Sequence, residues 1–287
     1  MTASLTLPSH EPVEGREGSV DVDGAAIWYR VSGRQDGPTM VLVHGNGANH
    51  WWWYLMLPEL ATRYRVVELD LSGHGDSDHR TDYSIDGWAD EIRAVVTTVS
   101  DTPVALVGHS MGGMLCSMVA ARHPELVDSL MVLDSMFGPR DRMPDGPGPM
   151  GRPQRYYPTL EAILGRFVLM PPQPQPADEL LAPIARGSVH ETPDGWTWKQ
   201  DQTRNPAFEA EHGETVLPGL KCPLTLVYGE LSDLVQERHV AFVRENARTQ
   251  VTVEKMAGVH HHLVIEDAPT CIAHVDAFMA RRAEGGL

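Results

Sequence analysis

Five residues, Gly108-His-Ser-Met-Gly112, constrain this chain more than any other feature. They follow one apolar run, Val104–Gly108, and open another, Gly112–His123, so a buried strand must turn at once into a helix. Such a turn needs small residues on both sides, and it pushes the middle side chain into sparsely allowed backbone space at the mouth of a sheet. Ser110 is thereby presented as a nucleophile. The backbone N–H of Met111, at the positive end of the new helix, can stabilise negative charge forming beside it.

The rest of the chain repeats this rhythm. Gly18–Val22 and Ala25–Val31, split by Asp23-Gly24, predict a hairpin, and Met40–His44 predicts a fully buried strand. Further strands are expected at Arg65–Asp70, Val104–Gly108, Leu130–Asp134, Leu224–Gly229 and Val251–Met256. Helices are expected at Trp88–Val99, Gly112–His123, Arg238–Asn246 and Ala268–Arg282. This alternation predicts an α/β fold, a mostly parallel sheet with helices on both faces and an antiparallel edge. The stretch 137–218 breaks the rhythm. It holds the tract Pro171-Pro-Gln-Pro-Gln-Pro176, which cannot be one helix, together with amphipathic segments at Thr159–Leu169 and Asp178–Ser188. It reads as a cap inserted into a core formed by 18–136 and 219–287.

Composition narrows the partners. Asp and Glu number 39 against 23 Lys and Arg, and a net charge of −16 repels nucleic acid and anionic membranes, leaving a small neutral or apolar molecule as the expected ligand. Cys116, Cys222 and Cys271 are odd in number and widely spaced, which supports neither a disulfide framework nor a metal site. Met1–Glu17 has no basic start or apolar run of the kind a secretion signal needs, and no segment has transmembrane length, so a cytoplasmic protein is expected. The sequence does not speak to oligomeric state.

A second glycine-rich motif, His44-Gly-Asn-Gly47, ends a buried strand. Gly45 and Gly47 let backbone amides approach a ligand, and the N–H of Asn46 with that of Met111 would complete an oxyanion hole. No Gly-Lys-Ser/Thr follows, and the spacing does not match a dinucleotide loop, so neither a phosphate loop nor a nucleotide cofactor is expected. A general base must come from His260, His261 or His262, which lie between a strand and a helix. Adjacent loop histidines point in different directions and have no second ligand cluster, so no metal is expected. Asp134 and Asp233, both at or just beyond strand ends, are alternative carboxylates to orient the imidazole. Asp70 is expected to fix its own loop instead.

These ordered motifs, with Asp70-Leu-Ser-Gly-His-Gly-Asp-Ser77 and a late histidine before Glu266-Asp-Ala-Pro269, resemble the α/β-hydrolase family from about Gly18 to Arg282. The resemblance implies an eight-stranded sheet and a helical cap between the sixth and seventh strands. The stretch from His262 to Pro269 is similar to the segment around the catalytic histidine of haloalkane dehalogenases, which implies His262 as base. Those relatives take their acid after the sixth strand, favouring Asp134, whereas the commoner arrangement in the family uses the position of Asp233. Dehalogenation needs an aspartate where this chain has Ser110. Ester or lactone hydrolysis through an acyl-enzyme is therefore implied, with lactonases of the zearalenone type among the similar proteins. Carbon–carbon bond hydrolysis, cofactor-free dioxygenation and a receptor role are the alternatives this scaffold admits. Trp51, Trp52, Phe137, Tyr157, Trp196 and Trp198 are the expected apolar and aromatic contacts for a substrate held between sheet and cap.

Overall fold

The computed structural model of the chain describes residues 13–139, 151–204 and 213–284. Of Met1–Glu17, where no leader is expected, residues 1–12 lie outside the described residues. The strands are β1 (Gly15–Val22), β2 (Ala25–Gly33), β3 (Thr39–Val43), β4 (Arg65–Leu69), β5 (Val104–His109), β6 (Val127–Leu133), β7 (Val189–Thr192), β8 (Gly195–Trp198), β9 (Leu224–Gly229) and β10 (Val251–Met256). Eight of them form one sheet in the order β1-β2-β4-β3-β5-β6-β9-β10. β1 and β2 run antiparallel at one edge, β2 also pairs antiparallel with β4, and every other pairing is parallel. The hairpin turn takes Asp23 and Gly24 to φ 50° and 80°, as a two-residue connection between right-twisted strands requires.

Met40–Val43 of β3, Val104–Val107 of β5 and Leu130–Leu133 of β6 are continuous apolar runs because both sheet faces are covered there. The helices are α1 (Leu57–Ala61), α2 (Ile85–Val99), α3 (Met111–Arg122), α4 (Leu160–Leu164), α5 (Asp178–Gly187), α6 (Gly213–Gly219), α7 (Glu237–Asn246), α8 (Leu263–Glu266) and α9 (Ala268–Ala283). On one face α2, α3, α6 and α7 pack in a cluster that includes Trp88, Leu115, Leu217 and Val243; on the other, α1, α8 and α9 pack around Met56, Leu263 and Phe278. Helix α2 starts where it does because the Ser84 side chain accepts the Gly87 N–H. Among the described residues no helix is long and apolar enough to cross a membrane.

Between β6 and β9 the chain makes its excursion above the strand ends. It leaves and returns at one place: a Cβ added to Gly213 would lie 3.3 Å from the Gly138 carbonyl oxygen. Helix α6 falls inside the stretch read as cap, yet its Val216 and Leu217 pack with the helices of the sheet. The amphipathic segment Thr159–Leu169 is helical only over α4, which ends at Gly165, and Phe167 beyond it turns in towards Trp52 and Trp198, with ring centroids 6.1 Å from each. The stretch expected as a helical cap is also not all helical, since β7 and β8 pair as an antiparallel hairpin. Its turn, Thr192-Pro-Asp-Gly195, carries the Pro-Asp-Gly signal of a hairpin, and Gly195 takes φ 113° there.

Candidate active site

Ser110 sits directly after β5 at φ 54° and ψ −123°, a conformation that costs a non-glycine residue free energy and persists only when its surroundings enforce it. They do so on every side. The Ser110 N–H donates to the Leu133 carbonyl at 2.9 Å, the Ser135 hydroxyl donates to the Ser110 carbonyl, and Gly113 N–H donates to the same oxygen at 2.9 Å. Gly112 lets α3 press onto β3, because a Cβ there would collide with the Val43 and His44 carbonyls. Gly45 is packed as tightly: a Cβ there would stand 3.0 Å from the Ser110 Cβ. Ser110 itself is half-buried, unlike the fully covered strand beneath it.

Asp134 leaves the adjacent strand β6 with its own positive φ of 50° and is fully buried. Its Oδ1 accepts the Gly229 N–H at 2.9 Å, and its Oδ2 accepts from the Ser232 hydroxyl at 2.6 Å and from His261 Nδ1 at 2.7 Å. A carboxylate with no proton of its own fixes the tautomer of its partner: His261 carries hydrogen on Nδ1 and keeps Nε2 as the basic nitrogen. The residue before Ser110 places this histidine, since His109 Nε2 donates to the His261 carbonyl at 2.9 Å and the two rings lie 4.7 Å apart. Serine elbow, carboxylate and histidine loop thus converge on the ends of β5, β6 and β9.

Two sequence expectations differ from this geometry. His262, expected as the base, is turned away from Asp134: its Nε2 lies 3.0 Å from the Met170 carbonyl of the cap, and burial, reinforced by the neighbouring His261, pushes its pKa down to about 3. A gapless similarity could not tell two adjacent loop histidines apart, because the peptide bond between them sends their rings to different sides. Asp233, the alternative acid, is exposed, and it is its neighbour Ser232 that turns inward to bond Asp134. Ser135 and Ser232 were not found by sequence reasoning; single serines in a loop carry no signal of their own.

The two candidate oxyanion amides belong to residues next to Ser110: Met111 follows it in the chain, and Gly45, which precedes Asn46, packs against its Cβ. Met111 is the first residue of α3, where an N–H has no acceptor within the helix. The Gly45–Ala48 loop is closed by the Ala48 N–H on the Gly45 carbonyl at 3.2 Å, and the Asn46 side chain accepts from Arg204 of the cap at 3.4 Å. Arg204 is almost completely buried, and loss of hydration lowers its pKa to about 10, so it remains a cation at neutral pH. Its Nη1 donates to His74, whose Nδ1 in turn donates to the Ser72 carbonyl at 3.1 Å. Gly47, at φ 73°, faces the Gln200 side chain, 3.2 Å from where its Cβ would be. Residues Gln200 and Arg204 of the excursion therefore rest on the Gly45–Ala48 loop.

The aromatic residues divide. Trp52 is buried against Phe167, which also meets Trp198, forming an apolar wall shared by core and cap. Trp51 covers Gly187 of α5, Phe137 is part of the buried cluster beneath the sheet, and Trp196 stacks under Arg186 at 5.0 Å while its backbone pairs with Tyr157. Phe137 is thus committed to packing.

Asp70, as expected, organises its loop. It accepts the His50 N–H at 2.7 Å, His50 Nδ1 at 2.8 Å and the Asp76 N–H at 2.9 Å. Burial opposes both charges, but their attraction prevails: Asp70 is lowered to about 2 and His50 is raised. His50, Asp70 and Asp76 bring ligand-type atoms within 4.8 Å of one another, yet the hydrogen bonds just named already occupy the inward-facing oxygens of Asp70 and the Nδ1 of His50. They form an ion pair, not an open cation site.

This fold and these motifs define a class. The alpha/beta hydrolase fold family model matches residues 38–163. Over 237 residues the chain is 31% identical to the pimeloyl-[acyl-carrier protein] methyl ester esterase of Aeromonas hydrophila, covering 76% of this chain and 87% of that protein. The chain belongs to the α/β hydrolase family. It is also 37% identical over 115 residues to an uncharacterized protein of Mycobacterium bovis, a match covering 40% of this chain and 33% of that protein, so it spans about a third of that relative's length. Among solved structures, an esterase of Mycobacterium tuberculosis superposes with a TM-score of 0.76 at 20% identity, covering 94% of this chain and 92% of that one, a likeness of fold alone.

Proposed function

We propose that the protein is a serine hydrolase that cleaves a carboxylic ester, lactones included, through an acyl-enzyme on Ser110. The observation that carries this reading is the 2.7 Å bond from His261 Nδ1 to the buried Asp134, with the histidine held against the residue preceding a strained, half-exposed serine. His261 Nε2 takes the Ser110 proton as the oxygen attacks the carbonyl carbon, and Asp134 stabilises the resulting imidazolium. The carbonyl oxygen becomes anionic against the Asn46 and Met111 amides; one such donor is worth about 3 kcal/mol. The imidazolium returns its proton to the leaving alcohol. Water, activated by the same nitrogen, then releases the acid.

The wall formed by Trp52, Phe167 and Trp198 supports an apolar, aromatic-tolerant substrate. The esterase from Aeromonas acts, by its name, on a methyl ester, which supports the same bond type here. The test is hydrolysis of aryl acetates and of an aromatic lactone by the wild type and by Ser110→Ala. Steady turnover that disappears in the variant, with a fluorophosphonate attaching to Ser110, is expected. Oxygen uptake with a hydroxy-heteroaromatic compound, or cleavage of a diketone with no esterase activity, would replace this reading with another chemistry.

A further inference from the structure

Three consecutive histidines have three different partners. His260 bonds Glu266 through its ring at 2.9 Å and its N–H at 3.1 Å, His261 bonds Asp134, and His262 bonds the cap. The third partnership is unexplained by the proposed chemistry. His262 is 4% exposed, neutral, and pays for its burial with an unsatisfied Nδ1 among the described residues. A phenylalanine or leucine would fill the space without that cost, so the imidazole is there for its donor. That donor is Nε2–H, because a carbonyl oxygen such as that of Met170 can only accept.

The same strap of cap holds this loop a second time. Gln173 accepts the His262 N–H on Oε1 at 3.3 Å and donates from Nε2 to Glu266 Oε1 at 2.8 Å. The strap is itself stiffened by Gln175, which accepts the Leu169 N–H at 3.0 Å and donates to the Gln173 carbonyl at 2.9 Å. His261 lies in a loop between β10 and α8, where no strand ladder fixes it. Its ring is tied to Asp134 and its carbonyl to His109, while the next residue is tied to the strap; the His261 and His262 rings meet edge to face at 4.9 Å.

We propose that His262 and Gln173 form a latch by which the seated cap positions His261 for catalysis, His262 being a positioning residue and not a base. The inference rests on the serine-hydrolase reading and deepens it: the cap covers the substrate and also completes the base. A misplacement of about 1 Å in a reacting group costs on the order of a hundredfold in rate. His262→Phe, which keeps the volume and removes the donor, is therefore expected to lower kcat about ten- to a hundredfold with KM within about threefold. His262→Gln, whose side-chain amide can donate to the Met170 carbonyl, is expected to recover most of that loss. Gln173→Leu, at a half-buried position less demanding for folding, is expected to behave like His262→Phe, and the double variant to be no worse than the more damaged single one.

The experiment combines steady-state hydrolysis of an aryl acetate with the rate of fluorophosphonate attachment to Ser110 in each variant, folding being checked by thermal melting. Slower attachment in His262→Phe and Gln173→Leu, restored in His262→Gln, supports the latch. Wild-type attachment rates in both damaged variants, or equal loss in His262→Gln and His262→Phe, overturns it while leaving the hydrolase reading intact. A wild-type protein that never reacts at Ser110 refutes the hydrolase reading itself.

Discussion

Replacing Asp134 by asparagine removes one charge and almost no volume, and the structure dictates which way the amide must lie. The Gly229 N–H can only donate, so the amide oxygen takes the Oδ1 position, 2.9 Å away. The NH₂ group then falls at the Oδ2 position, facing Ser232 Oγ and His261 Nδ1. The serine hydroxyl can reverse and accept; the imidazole must also accept there, which moves its proton to Nε2 and leaves nothing basic towards Ser110. Wrong tautomer and lost imidazolium stabilisation together are expected to lower kcat by about 10³- to 10⁴-fold, or about 4 to 5.5 kcal/mol of transition-state stabilisation. KM should change far less. The assay is aryl acetate hydrolysis by Asp134→Asn beside Asp233→Asn, with melting curves for both. A tenfold loss or less in Asp134→Asn, or a comparable collapse in Asp233→Asn, would refute the assignment.

Other outcomes follow from the same contacts. Gly45→Ala puts a methyl group 3.0 Å from the Ser110 Cβ and 3.3 Å from His109 Nδ1, and is expected to lower kcat about ten- to a hundredfold while the protein still melts cooperatively. Asp70→Ala removes the acceptor of the buried His50 Nδ1 and of the His50 and Asp76 N–H groups and should cost about 3 to 5 kcal/mol in a urea titration. Stability should also fall in acid. Burial holds His44, His74, His109 and His262 below their ordinary pKa, so the unfolded chain binds protons that the folded one refuses. The loss begins near pH 6.5 and grows as pH falls towards their folded values, by up to about 1.4 kcal/mol per unit for each histidine. His50, raised in the folded state, works the other way and loses its contribution only as pH rises above its unfolded value. Melting temperatures constant between pH 7 and pH 5 would contradict this account.

Strands were legible because strands covered on both faces must be apolar throughout, as Met40–Val43 and Leu130–Leu133 are. The elbow was legible because Gly112 presses on the end of β3 and Gly108 on the backbone of α3, contacts that leave no room for a Cβ. The base and the acid's surroundings were not, since ring direction in His260-His-His262 depends on backbone torsions that a residue string does not display. The cap was harder still. Its α4 ends early and its β7–β8 hairpin appears because packing of Phe167 and the Pro193-Asp-Gly195 turn outweigh amphipathic spacing.

The meeting of Gly138 and Gly213 makes the intervening segment a closed bulge hung from a single doorway, so its length imposes nothing on the scaffold below. Transplanting a different hood at that doorway would change what the enzyme admits without shifting a strand. By the latch proposed above, the graft would succeed only if the newcomer offered two acceptors to His262, one for its ring and one for its N–H, as the Met170 carbonyl and Gln173 do now.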